Sequence, residues 1–396
     1  MNDFKFHVKP IGLFDMLHFK KMVPARQKAL AEGSLECITA KRGANKLAAL
    51  FHPAKQVLTI SEIYSHGENA KTYLFSGEGL APFRAGQYLS FKLKIGGAVL
   101  TRPYSITSSP KEAYEGKYTI TVKRAEGGFA SGWILDNWKV GDKVTCSGPE
   151  GIFYYEPLRD AKHVIALAGG CGITPFISMA AAIRDGFEDF KLTILYGSRK
   201  EEDILHKAEL EEIAKATDKV NIINILSDEQ KEGYAHGFIT AQRIKEAAGN
   251  EQCSLFVCGP CAMYEFLERE LNVLGYERKF IRREVYVAPQ SPKGIPGYEG
   301  DLSKELTLTV RIYGNIHKIP MSANETVLVA LERSGIDAPS KCRGGECGFC
   351  RSRLEKGDVF VPKTLDYRRM ADAASGYIHP CSCYPLTDLA IEIWPE

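Results

Sequence analysis

The decapeptide KCRGGECGFC holds Cys342, Cys347 and Cys350 at the C-x4-C-x2-C spacing that brings thiolates onto the two irons of a [2Fe–2S] cluster. A helix cannot turn all three to one centre. Gly344, Gly345 and Gly348 let the backbone wrap around a cluster and leave its amides free to bond the sulfurs. A fourth thiolate must come from further along the chain, and HPCSCYP offers both Cys381 and Cys383. The eleven cysteines are an odd count with five in the last 55 residues, which reads as a localised metal site rather than a disulfide framework. Tetrahedral zinc also accepts four cysteines, but its ribbons pair their ligands as two short hairpins, unlike a triple loop with one remote cysteine.

Two other stretches carry groups for organic cofactors. In TRPYSITSSP, Arg102 supplies a cation for phosphate, Tyr104 an aromatic face and Ser105 a hydroxyl. On a strand Arg102 and Tyr104 share a face, so one can hold phosphate while the other packs a flavin ring. Gly127 to Ser131, GGFAS, precede an apparent helix through Trp138, and a glycine-rich helix entry is an anion site. Further on, GGCGITP, Gly169 to Pro175, follows an apolar strand and opens an apolar helix, the arrangement that seats a dinucleotide pyrophosphate. It departs from G-x-G-x-x-G at its third small residue, Pro175. Cys258-Gly259-Pro260-Cys261 closes the last strand of that region. The same four residues spell a thiol–disulfide centre, a reading that needs a thioredoxin fold around them.

Something must hold these groups in place, and the chain's periodicities say what. From Gln56 to Tyr155 short alternating runs such as Tyr88 to Leu93 and Tyr118 to Val122 are broken by glycine and proline, which predicts an antiparallel barrel. After Pro157, apolar runs at His163–Ala168, Lys191–Tyr196, Asn221–Leu226 and Ser254–Cys258 alternate with helix-like segments, which predicts a parallel α/β sheet. PQSPKGIPGYEGD, Pro289 to Asp301, has no apolar period and reads as a linker. Beyond it, Leu306–Tyr313 and Ile316–Pro320 predict a hairpin around Gly314-Asn315, with Asn324 capping a helix that runs to Gly335. The chain thus reads as multidomain: an extension (1–52), an antiparallel β-barrel flavin domain (53–156), a Rossmann-like α/β nucleotide domain (157–288), a linker (289–303) and an α+β domain (304–396). In the extension, Phe14, Met16, Leu17 and Phe19 with Lys20 and Lys21 predict a short amphipathic helix, packed on the barrel or else resting on a membrane or partner.

The last ninety residues or so resemble the plant-type ferredoxin domain. Its final ligand stands three residues before a Tyr-Pro pair, which implies Cys381 here, Cys383 as a neighbour, and a β-grasp fold; YPLTDLAIEI agrees with that register. From the barrel through Val287 the chain resembles the ferredoxin–NADP reductase superfamily, whose barrel exit is matched by GPEGIF, Gly148 to Phe153. That resemblance implies Arg102, Tyr104, Ser105, Lys123, Gly128 and Ser131 as flavin contacts. It also implies Gly170, Gly172, Thr174 and Pro175 as the pyrophosphate turn, the superfamily itself carrying proline at the third position. Cys258, Gly259 and Pro260 would lie beside the nicotinamide, with Met263 at the hydrophobic position that follows. FAD is favoured, because the helix entry would hold a second phosphate that FMN, the alternative, lacks. NADPH-selective relatives place a basic residue after the serine closing the third strand, whereas Ser227 is followed here by Asp228, so NADH is favoured over NADPH. Arg199 and Lys200 are the residues that could still serve a 2′-phosphate.

A nicotinamide gives two electrons as hydride and a [2Fe–2S] cluster takes one, so flavin must stand between them. The expectation is an NADH-dependent reductase feeding an external metalloprotein, an oxygenase or another iron, haem or corrinoid protein. Ser105 and Cys258 would flank the nicotinamide–flavin contact and Glu284 would help orient it. The part from Lys304 carries twelve basic and twelve acidic residues, while Lys341, Arg343, Arg351 and Arg353 outweigh Glu346 around the cysteine loop, which suggests an acidic docking face on the acceptor. The rival readings are a dinucleotide-binding redox sensor and a thiol–disulfide oxidoreductase using Cys258 and Cys261. A net charge of +2 gives no field for nucleic acid, and no apolar run is long enough to span a bilayer, so the cytoplasm is the expected address.

Overall fold

The computed structural model describes residues 13–31, 43–285 and 288–394. Residues to Leu50 form one unit and those from Phe51 another. The first contains α1 (Leu13–Ala31), with Pro24 inside it, and most of α2 (Gly43–Phe51). Leu17 is exposed, and the side chains of Phe14, Met16 and Phe19 lie outside the described residues, as does Val287.

The second unit opens with the barrel: β1 (Gln56–Ser65), β2 (Ala70–Ser76), β3 (Tyr88–Ile95), β4 (Ala98–Ser105), β5 (Lys117–Lys123) and β6 (Lys143–Cys146), with α3 (Pro110–Tyr114) and α4 (Phe129–Asn137) between them. The strands run β4-β3-β6-β1-β2-β5, and an antiparallel bridge from Ile106 to Ile120 joins the two ends of the sheet. Alternation sends Leu58, Ile60, Tyr73, Phe75, Leu89, Phe91, Ile120 and Val122 inward. Trp138, just after α4, plugs the barrel edge-on to Tyr73 at 5.3 Å, and each such buried aromatic contributes about 1.5–3 kcal/mol.

The nucleotide domain is β7 (His163–Gly169), α5 (Thr174–Arg184), β8 (Lys191–Ser198), α6 (Lys207–Ala216), β9 (Val220–Leu226), β10 (Ala235–His236), α7 (Ala241–Ala248), β11 (Cys253–Cys258), α8 (Cys261–Leu274) and β12 (Ile281–Glu284). All pairs in the order β10-β9-β8-β7-β11-β12 are parallel. Every residue of β7 and β11 is buried, because helices cover both faces and leave no polar side. Ala166 and Ala168 pack under α5 and α6, Ile165 and Leu167 under α7 and α8.

The last domain holds β13 (Glu305–Ile312), β14 (Asn315–Ser322), α9 (Val327–Arg333), β15 (Ser352–Lys356), β16 (Val359–Phe360), α10 (Met370–Ala374), β17 (Tyr377–Ile378), β18 (Tyr384–Pro385) and β19 (Leu389–Ile393). Its main sheet, β14-β13-β19-β15-β17, is antiparallel except for the parallel pair β13/β19. Two local expectations shift. The hairpin turns on Tyr313 and Gly314, both at positive φ, since Ile312 already pairs with Asn315. The helix cap is Thr326, whose hydroxyl accepts from Val329 N, while Asn324 belongs to the preceding turn.

The proline-rich linker is not a free spacer. Tyr384 donates its hydroxyl hydrogen to the Pro289 carbonyl, and the Tyr298 ring stands edge-on to Phe360 at 5.3 Å. The ferredoxin-like domain also meets the barrel directly through ion pairs of Lys92 with Asp337, of Lys341 with Glu150 at 2.6 Å, and of Arg102 with Glu332 at 3.4 Å.

Candidate functional site

Strand β7 has β8 on one side and β11 on the other, so the carboxyl ends of β7 and β11 flank the point where the winding reverses, the usual ligand crevice of an open α/β sheet. Both glycine turns lie there. A Cβ on Gly172 would stand 2.0 Å from the Cys258 carbonyl oxygen, so only glycine lets the first turn rest on the second. Gly169 and Gly259 face the Met263 sulfur, where a Cβ would come within 2.4 and 2.5 Å. Gly170 to Ile173 form one short helical turn that feeds α5, with Thr174 and Pro175 at its start. Thr174 Oγ1 lies 3.0 Å from the Cys171 carbonyl and 3.1 Å from Ser105 Oγ, which joins the dinucleotide turn to the end of β4.

Register sets Cys258 between Ala168 on β7 and Glu284 on β12, so the thiol and the carboxyl stand side by side at the sheet's carboxyl edge. Burial, with Glu346 and Cys342 nearby, holds the Glu284 carboxyl well above its ordinary pKa. Tyr264, which sequence reading passed over, braces this edge: its hydroxyl donates to the Glu284 carbonyl and accepts from Gly259 N at 3.3 Å. Asp228 stands just past β9, two strands from β7, accepting from Ser227 Oγ at 2.6 Å with Arg199 Nε 3.9 Å off. The Cys258–Cys261 pair belongs to β11 and α8 of this wound sheet, not to a separate thioredoxin fold.

On the barrel, Arg102 and Tyr104 occupy the same face of β4, opposite Phe91 and Leu89 on β3, while Ser105 on the other face is buried toward Thr174. Tyr104 packs 6.1 Å from Phe91, and burial raises its hydroxyl pKa. Gly128 is the N-cap of α4, and Ser131 Oγ accepts from Ala125 N at 3.0 Å, folding the loop over the helix start. Lys123 points toward the nucleotide domain, its ammonium 3.9 Å from Asp203.

The cysteine loop converges as its spacing demands. Cys350 and Cys381 sulfurs are 3.4 Å apart, and the Cys342 thiol interacts with those of both Cys347 and Cys381. Amides of Cys347 and Phe349 point at the sulfurs of Cys342 and Cys347, at 3.4 and 3.5 Å. Arg343 and Gly345 adopt φ of +57° and +84°, and a Cβ on Gly345 would come within 2.6 Å of Ser382 Oγ. His379 Nδ1 donates to the Gly345 carbonyl at 2.7 Å and ties the loop to the turn bearing Cys381. Four convergent thiols with backbone donors around them fit an iron–sulfur cluster. Tyr88, unremarked in the sequence except as part of a strand, stands near Cys342, Cys347, Glu150 and Glu284 and so lies between barrel and loop. Two of the four basic residues counted around the loop turn inward, Lys341 to Glu150 and Arg343 to Glu332. The exposed hollow beside Cys347, about 500 Å3, is lined by Arg351 and Arg369 together with Glu346 and Asp372.

Three family models match in order: an oxidoreductase FAD-binding domain over residues 58–155, an oxidoreductase NAD-binding domain over 166–269 and a 2Fe-2S iron-sulfur cluster binding domain over 310–386. The chain is 28% identical over 344 residues to a subunit of 1,2-phenylacetyl-CoA epoxidase from Escherichia coli K12, covering 83% of this chain and 95% of the relative. It is 29% identical over 349 residues to the ferredoxin reductase component of 3-ketosteroid-9-alpha-monooxygenase from Rhodococcus rhodochrous, covering 84% and 95%. NADH-cytochrome b5 reductase 1 of Candida glabrata is 36% identical over 199 residues, 49% of this chain and 69% of that one. In fold the chain is similar to phthalate dioxygenase reductase, with a TM-score of 0.62 and 23% identity over 86% of this chain and 98% of the other.

Proposed function

The chain belongs to the ferredoxin–NADP reductase superfamily, with a plant-type [2Fe–2S] domain fused behind it, and from that membership we propose how its residues serve electron transfer from NADH through FAD and the cluster to an external oxygenase component. The observation that carries this reading is the 3.1 Å contact of Thr174 with Ser105, which sets the dinucleotide turn directly against the flavin strand. When bound, nicotinamide supplies a hydride, flavin takes it and releases electrons singly, and the cluster passes them on one at a time.

The rest is work for side chains and backbone. Gly170, Gly172, Thr174 and Pro175 receive the pyrophosphate at the start of α5. Arg102, Gly128 and Ser131 hold the flavin phosphates, Tyr104 packs the ring, and Lys123 borders the site from the end of β5. Gly259 and Pro260 shape the nicotinamide side, Ser105 and Cys258 flank the reacting faces, and the buried Glu284 carboxyl orients the carboxyl-edge neighbours and keeps water out. Cys342, Cys347, Cys350 and Cys381 hold the irons. The domain boundaries follow the reading at 53–156, 157–288 and 304–396. The cytoplasm remains the proposed address, supported by the lack of any helix, among the described residues, long and apolar enough to cross a membrane.

For the acceptor we keep an acidic docking face, supported by the exposed Arg353 and Arg369, which form no ion pair among the described residues. Two cytochromes of opposite surface charge test both route and face. With NADH, the acidic one should be reduced faster at low salt, and the difference should close as salt rises. A faster basic cytochrome sinks the acidic face; reduction no quicker than free flavin gives sinks the route.

At the ribose, Asp228 can accept from a 2′-hydroxyl and repels a 2′-phosphate. Asp228→Arg is expected to narrow the NADH preference in kcat/KM by about ten- to a hundredfold, the effect of one charged contact. An unchanged preference would assign the 2′ position to Arg199 or Lys200.

A further inference from the structure

Glu332 is next to last in α9 and only 4% exposed, yet it carries a carboxylate that burial alone would make costly. It is paired twice. Arg343 Nη1 donates to its Oε1, and Arg102 Nη1 lies 3.4 Å from both of its oxygens, with Thr101 N also 3.4 Å from Oε1. The carboxylate of one domain therefore sits on β4 of another, between an arginine of the cysteine loop and the arginine of the flavin strand. Two guanidiniums against one carboxylate leave an excess positive charge, and Arg343 Nε, on a residue 5% exposed, has no hydrogen-bond partner among the described residues.

Geometry says where that charge is offered. Arg102 Nη1 is occupied by Glu332 and by the Thr101 carbonyl at 2.9 Å, whereas its Nε and Nη2 make no hydrogen bond among the described residues. A guanidinium grips phosphate through two parallel N–H groups on one edge, and this is an open edge.

We infer that Glu332 is a positioning residue for the flavin: it holds Arg102 by one nitrogen so that the opposite edge faces the flavin phosphate, and the ferredoxin domain thereby completes the flavin site. The inference rests on the proposed role of Arg102 as a phosphate ligand. By linkage, flavin occupancy and docking of the ferredoxin domain favour one another.

The test is binding, not turnover. Full-length chain stripped of flavin is titrated with FAD and with riboflavin, which has no phosphate, and flavin fluorescence is followed. Glu332→Gln keeps the shape and one acceptor but loses the charge; it should raise the Kd for FAD about tenfold, the factor of one charge-assisted bond, and leave riboflavin unmoved. Glu332→Asp, a milder change should the first fold poorly, should lie between. The double variant Arg102→Met/Glu332→Gln should bind FAD no more weakly than Arg102→Met alone. Equal losses for FAD and riboflavin, or additive losses in the double variant, overturn the inference by making Glu332 merely structural. If Arg102→Met weakens FAD and Glu332→Gln does not, the inference alone falls. If Arg102→Met changes nothing, the underlying reading of Arg102 falls and takes the inference with it.

Discussion

Cys381→Ala should empty the chain of iron and labile sulfide, from about two of each per chain to none, while Cys383→Ala keeps both. The two residues differ in what surrounds their sulfurs. Cys381 lies 3.4 Å from Cys350, its thiol interacts with Cys342, and it sits on a short helical turn, Pro380–Ser382, tied to the cysteine loop through His379. Cys383 makes no sulfur–sulfur hydrogen bond among the described residues. It is 0% exposed in the apolar core around Leu328, Leu389 and Ile391. Its replacement trims a core side chain and should cost about 1–2 kcal/mol, read from thermal melting, with the cluster's visible spectrum intact. A cluster lost with Cys383 and kept without Cys381 would put the ligand register off by two residues.

The cluster's residue types were legible because a cluster demands thiolates at short, fixed separations, and such demands are written locally. So were the all-apolar β7 and β11, whose burial on both faces leaves a continuous run rather than an alternation, and the alternating strands of the barrel. What stayed hidden depends on partners far away in the chain. Glu332 reads as an ordinary charged residue near a helix end, yet its partners lie 230 residues before it and 11 after it. Counting charge near the loop could not tell that Lys341 and Arg343 turn inward, since a count has no direction. Thr326 and Asn324 are both good cap residues two positions apart. Thr326 has the extended backbone, φ −73° and ψ 153°, that lets its hydroxyl reach Val329 N, and sequence could not rank the two. The linker's composition announced the missing apolar period, but not the Tyr384 hydroxyl that pins it.

Ending the chain after Pro289 should leave NADH-driven ferricyanide reduction within about threefold of the full-length rate when FAD is in excess, a change of the size surface alterations give. Cytochrome c reduction should fall to the background of free flavin. The first expectation follows from where the apolar cores lie. Those of the barrel and the nucleotide sheet draw on residues up to Ile281, whereas the ferredoxin core begins at Leu306, so the cut divides no core. What the cut removes is polar: the partners of Lys92, Glu150 and Arg102. Glu150 keeps Ser90 Oγ at 3.0 Å, and Arg102 keeps the Thr101 carbonyl at 2.9 Å. Loss of Glu332 should weaken flavin retention, which is why the assay supplies FAD. The second expectation follows from the exit. Ferricyanide is small enough to take electrons from the flavin directly, but cytochrome c must dock where the cluster is held. Full cytochrome c activity in the shortened chain, with flavin bound and neither free flavin nor superoxide in solution, would mean that electrons leave without the cluster and that the proposed route is wrong.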